Sequence, residues 1–80
     1  DPRSIFVDSR GWLWIGSRLN GVSLSKNPGE ENPQFVTYTA ELPSSVVWSI
    51  AEDDFGRVYF GTERGAAKFD PGKNLWRNLN

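Results

Sequence analysis

Apolar and aromatic residues along this chain fall into short runs, and glycine, proline, asparagine and aspartate separate one run from the next. Several runs, such as residues 12–17 and 57–62, are rich in aromatic and aliphatic side chains. This pattern favours short β-strands joined by tight turns. No stretch keeps apolar residues at the i, i+3, i+4, i+7 spacing of an amphipathic helix. The sequence therefore predicts an all-β chain.

The same pattern occurs twice along the chain, with a period of about 45 residues. The residues that reappear, identical or similar, are Ser4/Ser49, Ile5/Ile50, Asp8/Asp53, Gly11/Gly56, Trp14/Tyr59, Ile15/Phe60, Gly16/Gly61 and Ser17/Thr62. One residue is then lost, so that Gly21 aligns with Gly65, and the match is looser further on, where Phe35 aligns with Trp76. A period of roughly 40 to 50 residues is typical of β-propeller blades.

Each copy divides into four predicted strands. These lie at residues 4–8, 12–17, 22–25 and 35–39 in the first copy, and at residues 46–53, 57–62, 66–69 and 75–79 in the second. We therefore predict a β-propeller fragment of two four-stranded antiparallel blades. The first blade repeat, with a shortened first strand, covers residues 1–45 and ends in the linker between blades; the second covers residues 46–80.

A four-residue turn joins the first two strands of each copy. Aspartate at its first position, Asp8 or Asp53, is expected to accept backbone N–H bonds, and Gly11 or Gly56 tolerates a positive φ at its last position. The strand after the turn is apolar on both faces, as in a sheet that lies between two others. Two stacked blades leave two faces uncovered, so the expected partners are neighbouring blades or other copies of this chain.

Two motifs and a linker carry a family resemblance. Residues 50–62 read IAEDDFGRVYFGT, with Gly65 following; residues 7–17 read VDSRGWLWIGS; residues 42–50, between them, read LPSSVVWSI. These segments resemble the two-component regulator propeller repeat. The resemblance implies a propeller in the periplasmic sensor domain of a bacterial hybrid two-component histidine kinase, with a function in sensing carbohydrates or other nutrients and transmitting the signal. In the second copy Tyr59-Phe60 stands where the family has Trp-Ile.

The composition argues against several classes of function. The chain has no cysteine and no histidine, so it lacks thiolate ligands, the commonest metal ligand and the commonest general base. With a net charge of −1 and scattered cations it has no basic patch for nucleic acid. No apolar run is long enough to span a bilayer, and none resembles a targeting segment. We expect no catalytic residue, no metal site, no cofactor, no nucleic-acid partner and no direct membrane insertion.

Some side chains have both a functional and a structural interpretation. Asp8 and Asp53 could serve acid–base or calcium chemistry, but their equivalent places in two turns favour a backbone role. Four aromatic residues could form a sugar-stacking platform: Trp12, Trp14, Trp48 and Tyr59. Their alternation within the strands favours core packing instead, and partial exposure is expected only for Trp12. Val46, Trp48 and Ile50 are expected on one face of their strand.

The remaining candidates lie on loops that differ between the copies. The loop between the second and third strands and the linker between blades should open on one face, where propellers usually bind ligands. The candidates for binding a carbohydrate or another small ligand there are Arg18, Asn20, Ser44, Glu63 and Arg64.

Two other functions stay open. Propeller lyases of the streptogramin type share a similar strand motif but depend on a catalytic histidine, which this chain lacks. A scaffold or assembly fragment that associates with itself through open blade faces is the other alternative.

Overall fold

The computed structural model describes residues 2–79, which form eight strands and no helix; Asp1 and Asn80, the outer limits of the two predicted repeats, lie outside the described residues. The strands are β1 Pro2–Val7, β2 Leu13–Ser17, β3 Val22–Ser25, β4 Val36–Tyr38, β5 Val47–Glu52, β6 Val58–Thr62, β7 Gly65–Asp70 and β8 Leu75–Asn78. They form two four-stranded antiparallel sheets, ordered β1-β2-β3-β4 and β5-β6-β7-β8. The predicted fold class is confirmed.

The first hairpin of each sheet closes as the turn residues predict. Gly11 and Gly56 have φ values of 85° and 81°, a region that favours glycine. The Gly11 amide donates to the carbonyl of Asp8 at 2.9 Å, and the Gly56 amide donates to that of Asp53 at 3.2 Å. In both sheets each strand returns antiparallel beside the previous one, and the longest connection within a sheet, residues 26–35, joins β3 to β4.

The two first strands each contain a register shift, between Pro2 and Ser4 in β1 and between Val47 and Ser49 in β5. The shift breaks the simple alternation in β5. Val47 is fully buried, whereas Trp48 is 48% exposed. The expectation that Val46, Trp48 and Ile50 share a face is therefore wrong, because an irregularity of this kind turns one residue out of the pleat.

The two sheets pack face to face, with β5 against β1 and β2. The side of each sheet that meets the other is its inner face, and the opposite side is its outer face. The buried core lies between the inner faces and consists of Trp14, Val22, Leu24, Leu42, Val47, Val58, Phe60, Ala67 and Phe69. Trp14 packs edge-on against Phe60, with ring centroids 5.1 Å apart, and against Phe69 at 5.7 Å. Such pairs add to the free energy of burial.

Equivalent residues of the two repeats lie on different faces of their sheets: one is on an inner face and the other is on an outer face. Trp14 is on the inner face of the first sheet, and its equivalent Tyr59 is on the outer face of the second. Conversely, Phe60 is on the inner face of the second sheet, and its equivalent Ile15 is on the outer face of the first. This is the expected result of stacking two like sheets in the same orientation, one behind the other.

Candidate functional site: the loop end of the two sheets

The loops predicted to bind ligand lie at one end of the two sheets, with the linker between them. We call this region the loop end: residues 18–21, 63–64 and the linker at residues 39–46. The Gly21 amide donates to the carbonyl of Ser45 at 2.8 Å, and the Glu63 amide donates to that of Val46 at 3.1 Å. The linker backbone therefore joins a loop of the first sheet to a loop of the second.

The five candidate side chains lie on these three segments. Arg18, Asn20, Glu63 and Arg64 are exposed, and Ser44 is half-buried. The Ser44 hydroxyl accepts a hydrogen bond from the Val46 amide at 3.1 Å, so this side chain has a local role in shaping the linker.

Backbone amides of both loops are held by hydroxyls from the preceding strand. The Asn20 amide donates to Ser17 Oγ at 2.6 Å, and the Arg64 amide donates to Thr62 Oγ1 at 3.2 Å. Ser17 and Thr62 are equivalent residues of the two repeats, so the repeat positions both loops by the same device. The loops differ in sequence, but their attachment to the sheets is shared.

An exposed aromatic residue at this end was assigned to the core by sequence reasoning. Trp48 stands at the irregularity of β5, and the guanidinium carbon of Arg3 lies 4.7 Å from its ring centroid. Because β1 and β5 begin beside Ser17 and Thr62, the pair lies at the same end as the loops. The assignment of Trp48 to core packing is wrong. The sequence does contain a sign of this exposure. Arg3 and Trp48 occupy equivalent positions and differ, although the two residues that follow each of them, Ser-Ile, are identical in both repeats.

The other aromatic candidates have structural roles. Trp14 is fully buried, and Tyr59 is half-buried on the outer face. Trp12 is half-buried, as expected, with Arg10 4.8 Å and Lys26 4.6 Å from its ring centroid. These cations cover the indole face and shield it from solvent.

The carboxylate of Asp8 lies at the opposite end of the sheets, where its hydrogen bonds are all local. Its Oδ1 accepts from the amides of Arg10 at 2.9 Å and Trp12 at 3.1 Å. Its Oδ2 accepts from Arg10 Nη2 at 2.9 Å and from Trp14 Nε1 at 2.8 Å. A carboxylate has about four acceptor positions. Asp8 therefore has its capacity filled by the turn and the strand that follows.

Asp53 repeats this arrangement in the second sheet. It accepts from the amides of Phe55 and Arg57, from Arg57 Nε at 2.8 Å and from the Tyr59 hydroxyl at 2.8 Å. Burial alone would raise the pKa of Asp53, but these hydrogen bonds outweigh it and hold the pKa well below its usual range. Its hydrogen bond in turn raises the pKa of Tyr59 and that of Arg57. The structural interpretation of both aspartates is supported, and residues 2–79 contain no group of three acidic side chains placed to hold a metal.

A cavity of about 250 Å³ lies at the β4 edge of the first sheet. It is lined by Leu24, Lys26, Asn27, Gln34, Val36 and Tyr38. The amide oxygen of Asn27 inside it accepts from Ser25 Oγ at 3.2 Å and from the Gln34 amide at 3.1 Å. Pockets for small molecules usually measure about 300–1,000 Å³. The cavity is smaller than that range, and Asn27 is already engaged in shaping the loop, so the loop end is the better candidate site.

Comparison with known proteins agrees with the repeat. The family model described as two component regulator propeller matches residues 1–18 and 41–64. The matched segments contain the first hairpin of each sheet and the part of the linker that precedes β5. No curated protein matches the sequence. Over residues 2–79, no helix is long and apolar enough to cross a bilayer.

Proposed function

Because this chain belongs to the two-component regulator propeller family, a repeat without catalytic function, we propose that its loop end contributes to the sensing of a small ligand. Carbohydrate is the ligand class to test first, and the periplasm is the compartment in which a bacterial sensor kinase would expose it. In this proposal residues 1–45 form one blade and residues 46–80 the next.

The observation that carries the proposal is the Arg3–Trp48 pair beside the linker. Trp48 is 48% exposed although it is a large aromatic residue on the first strand of a sheet. An exposed indole offers an apolar face for a sugar ring, and a neighbouring guanidinium offers hydrogen-bond donors for hydroxyl or carboxylate groups. Tryptophan and arginine are both enriched among the residues that contribute most of the binding energy at interfaces.

Candidate contacts for the polar part of a ligand lie at the same end of the sheets as this pair. Arg18 and Asn20 come from the first sheet, and Glu63 and Arg64 come from the second. Ser44 belongs to the linker whose carbonyls accept hydrogen bonds from both loops. A ligand held between the loops would therefore act on the connection between two blades, which is a direct route for transmitting a signal through a propeller.

The test is a calorimetric titration of the chain with neutral, uronate-containing and sulfated oligosaccharides. We expect at least one class to bind, and Trp48→Ala to weaken that binding by about fivefold or more, since stacking on an aromatic face is worth about 1–3 kcal/mol for the flat rings of nucleic-acid bases. Trp12→Phe is the matched control, because Trp12 lies at the other end of the sheets and its replacement should leave binding unchanged.

Two results would contradict the proposal. Failure of every oligosaccharide class to bind would exclude carbohydrate as the ligand of this segment. Binding that survives Trp48→Ala but is lost in Trp12→Phe would place the ligand away from the loop end. Circular dichroism of each variant shows whether its fold is retained.

A further inference from the structure

The internal interface shows how one sheet of this chain recognises another. The first sheet presents Trp14 and Gly16, and the second presents Val47 and Phe60. A Cβ atom built on Gly16 would lie 2.9 Å from Val47 Cγ1, so the sheets approach closely at this glycine. The interface is therefore heterologous: two different sides of the repeat meet.

The two outer faces carry the equivalents of these same two sides. On the outer face of the second sheet, Tyr59 and Gly61 take the positions of Trp14 and Gly16. On the outer face of the first sheet, Ile5 and Ile15 take the positions of Ile50 and Phe60. Ile5 is 68% exposed, which is unusual for an isoleucine in a regular strand. The outer face of the second sheet thus resembles the inner face of the first, and the outer face of the first sheet resembles the inner face of the second. The two outer faces could therefore pack on each other as the two inner faces do.

A polar contact closes the internal interface at the turn end. The amide and hydroxyl of Ser9 donate to Glu52 Oε1 and Oε2 at 2.8 and 2.6 Å. Arg10 Nη2 lies 3.8 Å from Glu52 Oε2. We call this contact the latch. It joins the turn of the first sheet to the first strand of the second.

The equivalents of the latch residues on the outer faces are changed together. Asp54 and Phe55 stand at the positions of Ser9 and Arg10, and Val7 stands at the position of Glu52. Phe55 is 82% exposed and Val7 is 61% exposed. A glutamate at position 7 would meet the carboxylate of Asp54, whereas valine matches Phe55. The guanidinium of Arg57 lies 5.0 Å from the Phe55 ring centroid, but it already pairs with Asp53 at 2.8 Å. The positions of Arg10 and Glu52 have therefore become apolar on the outer faces, and Asp54 at the position of Ser9 could not donate a side-chain hydrogen bond to a glutamate.

We propose that a second copy of this chain covers these faces head to tail. The outer face of the second sheet of one copy packs on the outer face of the first sheet of the next, and Phe55 contacts Val7 of that neighbouring copy. The packing repeats the internal interface, with an apolar contact in place of the latch. Because the contact is heterologous, it closes into a ring or grows into an open array. Rings of about four to eight blades are typical of propellers.

The first measurement is sedimentation velocity of the chain over a wide dilution series. We expect association that weakens with dilution. Val7→Glu should weaken it by about tenfold or more, because a carboxylate replaces an apolar contact and faces Asp54. Asp54→Ser with Phe55→Arg should also weaken it, since the new guanidinium meets valine in the neighbouring copy. Neither change touches the core, because all three side chains are exposed.

The decisive variant combines the three substitutions Val7→Glu, Asp54→Ser and Phe55→Arg. It transfers the latch of the internal interface to the outer faces, so association should return to within a few-fold of the original chain. An arrangement in which like faces meet would pair two introduced glutamates and two introduced arginines, and the combination would not restore association.

Leu19→Glu is the matched control for removing an exposed apolar side chain. Leu19 is 69% exposed but belongs to the loop end, so its replacement should leave association unchanged. A folded chain that stays monomeric at all concentrations would overturn the proposal and leave the faces to other blades or to a different protein. Loss of association in the triple variant, with an intact fold by circular dichroism, would overturn the head-to-tail arrangement.

Discussion

The indole Nε1 of Trp14 donates a hydrogen bond to Oδ2 of Asp8 at 2.8 Å, and both residues are buried. The same relationship occurs in the second sheet, where the Tyr59 hydroxyl donates to Oδ2 of Asp53 at 2.8 Å. In both repeats the first turn is thus tied to the second residue of the second strand. The aspartate has two roles, since one oxygen accepts the turn amides and the other accepts the aromatic donor.

We expect Asp8→Ala to destabilise the chain by at least about 2 kcal/mol, because it leaves the indole N–H of Trp14 and the turn amides without an acceptor. Urea denaturation followed by tryptophan fluorescence, at one fixed protein concentration, measures the effect. Asp8→Asn is the matched variant: it keeps the size and one acceptor oxygen and should lose less. Equal stabilities for the alanine variant and the original chain would contradict this role of Asp8.

The lowered pKa of Asp53 predicts a pH dependence of stability. In the unfolded chain this carboxyl titrates near its ordinary pKa of about 3.9. The folded form holds the proton less tightly. The stabilising contribution is therefore complete above about pH 5 and is lost progressively as the pH falls below about 4. We expect Asp53→Asn to flatten the stability profile in this acidic range, measured by urea denaturation at successive pH values.

The control for the acid profile is Glu30→Gln, since Glu30 is exposed on the loop between β3 and β4. This variant should keep the acid dependence of the original chain. If Asp53→Asn lost stability on acidification as steeply as the original chain, the hydrogen bonds of Asp53 would not be the source of the effect.

The close approach of the sheets at Gly16 predicts a large effect of a single methyl group. A Cβ atom at this position would lie 2.9 Å from Val47 Cγ1 and would also meet Ser4 Oγ. We expect Gly16→Ala to cost about 1–3 kcal/mol, because the well-packed interface must shift to admit it. Gly29→Ala is the control: nothing lies within 4 Å of its Cβ position. Its effect on thermal unfolding should stay within about 0.5 kcal/mol.

The latch predicts that the turn of the first sheet stabilises the packing of the second. Glu52→Ala removes both acceptors of Ser9 and should cost about 1–2 kcal/mol. Addition of salt should change this difference little, because the shorter contacts are hydrogen bonds to Ser9 and the Arg10 ion pair is the longer one. Glu31→Ala, on an exposed loop, provides the comparison. A strong salt dependence would show instead that the ion pair dominates.

The candidate site was only partly predictable. Sequence differences between the repeats identified the loops that carry Arg18, Asn20, Glu63 and Arg64, since loops vary where scaffold strands do not. Trp48 was missed because an alternating pattern assumes a regular strand, and the irregularity beside it depends on how β5 pairs with β6.

The sequence by itself determined the period, the all-β class, the turns at Asp8 and Asp53 and the family resemblance. These features depend on local backbone preferences and on a pattern that occurs twice. Only the tertiary structure decided which side of each sheet is buried. Trp14 and its equivalent Tyr59 occupy the same place in the repeat, yet one is fully buried and the other lies on the outer face. Burial depends on which side the neighbouring sheet covers, and a sheet apolar on both faces carries no local signal for that choice.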